Sequence, residues 1–321
     1  MLLGDWPTPL TPWPDLARAL GLASLHLKRE DLADPRYGGN KLRGLEYLLG
    51  AARARGVTRV VAYGPEGSNW CTAAAVHAPR AGLACDLIYI RLTWIERRMP
   101  AERVAIFREA ARRAARLAAS TRWLPLWSLP GALLRRALER GTRVLPPGGT
   151  SPVAALGHVA ALLELEQAVA RGEIARPDAI YVALGSGGTA AGLAAGAALL
   201  GWPTRVVGAR VSPRVVSNAW VASWLARRTL RLLGSRARPA GLAVDHSQAG
   251  AGYRLPTAAA SQAQELTRGL PGGPLDLTYT AKAFAALVAD ARAGRLAGRR
   301  VVFWQTLGTL PERRGSDSGS S

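Results

Sequence analysis

Apolar residues recur along this chain with two different periods. Runs such as "RVVAY" (59–63), "CDLIYIRL" (85–92), "AIYVALG" (179–185), "TRVVGARV" (204–211) and "RRVVFWQT" (299–306) are short and apolar, the pattern of strands buried on both faces. "SLHLKRE" (24–30) reads as a further short strand. Between them the spacing turns helical. In "KLRGLEYLLGAARARG" (41–56) apolar residues fall at 42, 45, 48 and 49, and Gly56 marks the end. Further helices are expected over 71–82, with Pro79 breaking or kinking it, and over 96–120, 132–141, 153–172, 218–234 and 275–294. Strands alternating with helices predict an α/β fold of mostly parallel sheets covered by helices. No repeat and no long linker is visible, so two domains, if present, are interwoven.

Residues 179–201, "AIYVALGSGGTAAGLAAGAALLG", carry no charge and are long enough to span a bilayer. Their glycines and small polar centre predict a buried strand, a tight loop and a small-residue helix instead, so no membrane partner is expected. Two cysteines, Cys71 and Cys85, cannot build a disulfide framework. The opening "MLLGDWPTPL" lacks a basic segment followed by an apolar one. Together these predict a cytoplasmic protein. The net charge of +20 raises nucleic acid as a partner. The arginines are scattered, however, with acids interleaved as in "RVAIFREAARRAARLA" (103–118), and no nucleic-acid-binding signature accompanies them. Nucleic acid is therefore not expected.

The strongest local signal is "GSGGTAAGL" (185–193), placed between a strand and a helix. Glycines let backbone N–H groups turn toward an anion, the helix N-terminus adds partial positive charge, and Thr189 offers a hydroxyl. No Gly-Lys-Ser/Thr ends the loop, and no early dinucleotide-binding unit surrounds it. A purely structural turn is the alternative. The chain has only three lysines, Lys28, Lys41 and Lys282, every other basic residue but histidine being arginine. An amine condenses with an aldehyde, whereas a guanidinium does not. A phosphate cradle together with Lys41 points to pyridoxal phosphate. Against this stands an ordinary solvated lysine, disfavoured because its charge opposes the helix dipole.

"KREDLADPRYGGNKLRGLEYLL" (28–49) resembles the cofactor-lysine segment of the aminocyclopropane-carboxylate deaminase and D-cysteine desulfhydrase family. The resemblance continues in order through "WPTPL" (6–10), "GPEGSNW" (64–70), "LPPGGTSPVAALGHV" (145–159), the phosphate loop, "GYRLPT" (252–257), "LDLTYTAKAFAAL" (275–287) and "FWQTLGT" (303–309). It implies the fold type II architecture of pyridoxal-phosphate enzymes, two interwoven three-layer domains with twisted, mostly parallel sheets. Residues 1–48 and 160–312 would form a large cofactor-binding domain, 49–159 a small domain, and 313–321 a disordered tail. A homodimer is implied as well.

By the same resemblance, Lys41 would hold the cofactor and shuttle the substrate's α-proton. Asn69 would contact the pyridine ring hydroxyl, and Ser68 would bind the substrate carboxylate or act beside Lys41. Ser186, Gly187, Gly188 and Thr189 would hold the phosphate, Thr306 would face the pyridine nitrogen, and Tyr253 and Tyr279 match two active-site tyrosines. The substrate pocket would comprise Ser68, Trp70, Thr280 and Gln305. No metal site is implied. Thr280 and Thr306 stand where ring-opening deaminases carry Glu and Leu, which places the chain on the desulfhydrase side.

Departures cluster on the substrate side: Pro65, Glu66, Trp70, His158, Arg254, Gln305 and Leu307. The expected activity is a pyridoxal-phosphate lyase or deaminase of a small amino acid, acting by α-proton removal and β-elimination. Alternatives are replacement, cyclisation or epimerisation in a specialised biosynthetic pathway, and a non-catalytic basic binding protein.

Overall fold

The computed structural model describes residues 1–307; the expected tail and the end of the last motif lie outside the described residues. In chain order the strands are β1 (Leu10–Pro12), β2 (Ser24–Arg29), β3 (Arg59–Pro65), β4 (Ala84–Ile90), β5 (Ser120–Leu124), β6 (Thr142–Val144), β7 (Ala179–Leu184), β8 (Arg205–Arg210), β9 (Leu242–Asp245) and β10 (Arg300–Gln305). They form two sheets. One has six strands in the order β1-β2-β10-β7-β8-β9, the other four in the order β5-β4-β3-β6. Only β1 runs antiparallel to its neighbour. The central strand β10 aligns Trp304 with Lys28 of β2 and with Val182 of β7.

The helices are α1 (Pro14–Ala19), α2 (Lys41–Arg53), α3 (Asn69–Arg80), α4 (Thr93–Glu96), α5 (Ala101–Leu117), α6 (Leu129–Leu138), α7 (Pro152–Ala170), α8 (Gly188–Leu199), α9 (Ala219–Leu232), α10 (Ala258–Leu266) and α11 (Thr280–Arg292). The period-two geometry of a strand sends neighbouring side chains to opposite faces. Ala179 and Tyr181 of β7 therefore join a core with α1, α10 and α11, while Ile180 and Val182 join one with α7 and α8. Burial on both faces explains why β7 reads as one unbroken apolar run. The smaller sheet packs Val60, Ala62, Cys85 and Leu87 against α2, α3 and α5. On its other face Asp86 pairs with Arg59 at 2.8 Å and with Arg136 of α6. Each sheet is thus the middle of three layers.

The structure corrects two of the expected helices. Pro100 divides the expected 96–120 helix, leaving α4 before it and α5 after it, and residues 120–124 pair as β5. Pro79 lies inside the last turn of α3 without breaking it, and the helix closes at Gly82, whose φ is +71°. The charge-free stretch 179–201 is the expected strand, loop and helix. Residues 147–170, α7 with its preceding turn, are long and apolar enough to cross a membrane, yet half of their most apolar 18-residue window is buried against the protein.

The expected boundaries at 48/49 and 159/160 fall within α2 and α7. These helices meet backbone to backbone: a Cβ on Gly157 would lie 2.3 Å from the Arg43 carbonyl oxygen. Arg43 also seals the junction electrically. Its guanidinium bonds Glu30 Oε2 at 2.5 Å and both carboxylate oxygens of Glu164 at 2.8 Å, and lies 3.9 Å from the centre of the Trp6 ring. The N-terminal end of α2 is thereby fixed to α7 and β2.

Candidate active site

A cavity of about 430 Å³ gathers residues from both sheets. Strand β7 runs into Gly185, Ser186 and Gly187, and α8 begins at Gly188. Gly187 has φ +91°, the left-handed region that a side chain disfavours. The first N–H groups of α8 have no intrahelical acceptor, so this terminus attracts an anion. The small residues of α8 matter for placement. A Cβ on Gly192 would lie 2.5 Å from the Ala155 carbonyl oxygen, so α8 sits close against α7. That approach brings the turn before α7 to the loop, where the Thr150 and Ser186 hydroxyls hydrogen-bond.

Lys41 is the first residue of α2. The preceding loop reaches β10 because Gly39, at φ +113°, has no Cβ; one would lie 2.8 Å from the Thr306 carbonyl oxygen. That same oxygen accepts the Asn40 N–H at 2.8 Å. Lys41 Nζ lines the cavity and donates to the Gly148 carbonyl at 3.0 Å. Among the described residues no carboxylate partners it, and burial lowers its pKa to about 8. The Asn40 amide donates to Thr189 Oγ1 at 2.7 Å. Behind them His158 approaches the same hydroxyl at 3.4 Å, its pKa held well below the usual value by burial and by the nearby Arg43 and Lys41 charges.

From the smaller sheet come Ser68, which precedes α3 in extended conformation, and Asn69 and Trp70, which open it. Tyr37 donates from its hydroxyl to Asn69 Oδ1 at 3.2 Å. The Trp70 indole is buried against Gly149, where a Cβ would meet its ring at 2.5 Å. Tyr253 and Tyr279 share a hydroxyl–hydroxyl hydrogen bond of 2.5 Å. Burial, reinforced by Tyr253, raises the Tyr279 pKa well above that of an ordinary phenol, so Tyr279 keeps its proton.

A family model described as "Pyridoxal-phosphate dependent enzyme" matches residues 1–306. The chain belongs to this family. Nocardicin C-9' epimerase of Nocardia uniformis subsp. tsuyamanensis is 36% identical over 316 residues, covering 94% of this chain and 90% of that protein. D-cysteine desulfhydrase of Salmonella choleraesuis (strain SC-B67) is 31% identical over 297 residues, covering 88% and 85%. A solved structure described as an ACC deaminase homologue aligns with a TM-score of 0.79 at 30% identity, covering 96% of this chain and 91% of that one. The architecture is accordingly fold type II, as expected, and the enzyme is pyridoxal-phosphate-dependent.

The cavity of this pyridoxal-phosphate enzyme suits the cofactor on structural grounds. A Cβ built on Gly185 or Gly187 meets no atom closer than 3.7 Å, ordinary van der Waals contact, so no neighbour crowds the cradle beside the α8 terminus. An amine, Lys41, lines the same cavity, and Thr306 and Asn69 line it too. A pKa near 8 has a consequence: as pH rises through it, the amine loses its proton and becomes able to condense with an aldehyde. The rate at which apoprotein takes up pyridoxal phosphate should climb with a midpoint near 8. Stopped-flow absorbance checks this; a midpoint near 10.5, the ordinary lysine value, contradicts it.

Two expected pocket residues lie elsewhere. Thr280 is fully buried and locked to Asp276, donating from Oγ1 to Oδ2 at 2.6 Å while its N–H donates to the same oxygen at 3.0 Å. It opens α11, whose first N–H groups the Asp276 carboxylate accepts, and does not line the cavity. Gln305 is fully buried and donates to the Gly272 carbonyl at 3.0 Å. Its neighbour Thr306 lines the cavity, and alternation along β10 turns Gln305 away from it. Of Thr280 and Thr306, the two positions that the resemblance singled out, only Thr306 lines the cavity.

The other expected residues, Lys41, Ser68, Asn69, Trp70, Ser186, Gly187, Gly188, Thr189, Tyr253, Tyr279 and Thr306, line one cavity. Sequence reasoning passed over Tyr37, Asn40 and Thr150, although the first two stand within the "YGGNK" stretch. Arg254 and Glu66, departures that look unrelated in sequence, meet: the Arg254 guanidinium donates to the Glu66 carbonyl at 2.6 Å and stacks 3.9 Å over Phe107. This contact ties the Tyr253 loop to the smaller sheet.

Proposed function

We propose that the enzyme removes the α-proton of an amino acid and expels a β-substituent, releasing a 2-oxo acid and ammonia. The observation that carries this reading is the convergence of the Lys41 amine, the α8 cradle and a hydrogen-bonded tyrosine pair on one cavity. Pyridoxal phosphate supplies an electron sink for the pair left at the α-carbon. Ser186, Thr189 and the N–H groups opening α8 would hold its phosphate, with Asn69 and Thr306 beside its ring.

Lys41, its pKa lowered, is suited to accept a proton, and Tyr279, which stays protonated, carries one into the cavity on a hydroxyl bonded to Tyr253. In this assignment Lys41 takes the α-proton and Tyr279, held by Tyr253, protonates the departing group. Ser68, which precedes α3 and lines the cavity, would receive the substrate carboxylate. Tyr279→Phe should lower 2-oxo acid release about 10²–10⁴-fold while α-hydrogen exchange in deuterated water persists. Equal loss of both, read by oxo-acid assay and NMR, counts against the assignment.

Epimerisation is the second reading, supported by the 36% identity to nocardicin C-9' epimerase and by the presence of two proton-bearing groups on one cavity. Incubating the enzyme with separate D- and L-amino acids distinguishes the two. Oxo acid and ammonia support elimination, whereas conversion to the opposite configuration without oxo acid supports epimerisation. A cytoplasmic homodimer belongs to the same proposal, and light scattering of the purified protein tests its mass.

A further inference from the structure

The outer part of the cavity differs in character from its floor. Ile90 ends β4, and Leu92, Trp94 and Ile95 follow as the chain enters α4. Pro213 and Val216 contribute from the loop after β8, on the six-stranded-sheet side. Trp94 is 52% exposed and Val216 45%. In a chain of net charge +20, Lys41 is the only charged side chain lining the cavity among the described residues.

We propose that the substrate amino acid carries a bulky, apolar or aromatic side chain with no second charge, received by this wall. The inference rests on the reading that an amino acid reacts at Lys41. Large hydrophobic side chains left open to water at a cavity mouth gain free energy only when a ligand covers them, and an indole face is well shaped for an aryl ring. A distal carboxylate or ammonium would lose its hydration without gaining a partner, because no described side chain of opposite charge waits on that wall. A cysteine-sized side chain would leave Trp94 and Val216 uncovered. The correction of Thr280 and Gln305 points the same way, since both polar groups expected beside a small substrate are absent from the lining.

The test uses cofactor-loaded enzyme in deuterated water with alanine, cysteine, glutamate, phenylglycine and phenylalanine, each in both configurations. NMR reads α-hydrogen exchange, and the change in cofactor visible absorbance on titration gives Kd. Phenylglycine or phenylalanine should exchange with kcat/KM at least about tenfold above alanine and glutamate. Trp94→Ala and Val216→Glu should each lower that ratio about tenfold, chiefly through KM and Kd. Exchange of alanine, cysteine or glutamate at equal or higher efficiency overturns the inference while leaving the proposed reaction standing. An unchanged ratio in both variants also overturns it. No exchange with any amino acid, in protein whose absorbance shows the cofactor bound, overturns the underlying reading and the inference with it.

Discussion

Replacing Lys41 with alanine should abolish the visible absorbance of the protein–cofactor adduct and lower turnover by at least about 10³-fold. Both effects follow from one property of the amine, its capacity to condense with an aldehyde and then to carry a proton. The expected damage to the fold is small. Lys41 Nζ makes one hydrogen bond among the described residues, to the Gly148 carbonyl, which contributes about 0.5–1.5 kcal/mol. Lys41→Arg sharpens the test. It retains positive charge and donor capacity near the cradle yet cannot condense, so it should bind cofactor weakly and remain as inactive as the alanine variant. Turnover in the arginine variant within tenfold of wild type would mean that charge, not the amine, matters here.

Glu30→Ala should destabilise the enzyme by about 3–5 kcal/mol, the largest stability effect expected from a single side chain here. Glu30 is fully buried and accepts from Arg43 Nε at 2.5 Å, from Arg43 Nη2 at 2.9 Å and from the Thr8 hydroxyl at 2.9 Å. Its removal leaves Arg43, itself 2% exposed, with Glu164 as its one remaining carboxylate among the described residues. Most of the cost is that of a buried charge deprived of half its compensation. The Glu30 carbonyl also receives the Gly39 N–H at 2.7 Å, and Arg43 stands two residues after Lys41. The cofactor lysine should therefore loosen too, weakening pyridoxal phosphate binding. Urea denaturation measures the first effect and cofactor titration the second. A stability loss below about 1 kcal/mol would show that the network is solvated in solution.

Much of the fold was legible because its strands are buried on both faces. "AIYVALG" and "RRVVFWQT" need no alternation to be read as strands when helices cover both sides. Strand order was not legible, since β10, the last strand in sequence, pairs with β2 and β7 through contacts no local pattern encodes. Short edge strands such as β1 (LTP) and β9 (LAVD) carry at most three apolar residues in a row, too few to stand out. In the site, the loop and lysine motifs located the cradle because backbone freedom and amine chemistry are properties of residue type. Thr280 and Gln305 misled because the direction of a side chain is set by helix capping and strand parity.

The three lysines show the same limit. Lys28 is buried, bonded to the Thr8 carbonyl and Glu164, and Lys282 is buried between the carbonyls of Ala249 and Gly252. In each case a compact ammonium fills a site lined by oxygens that a guanidinium fork would not fit. Lysine in an arginine-rich chain thus marks a special site, and only the cavity reveals which of the three is chemical.

That distinction allows the most direct measurement. Borohydride reduction of the cofactor-loaded enzyme fixes the pyridoxyl group to whichever lysine holds it, and peptide mass spectrometry locates the label. The peptide containing Lys41 should carry it, with Lys28 and Lys282 unmodified. Label on either of those two, or on no lysine at all, would contradict the placement of the reaction at the head of α2.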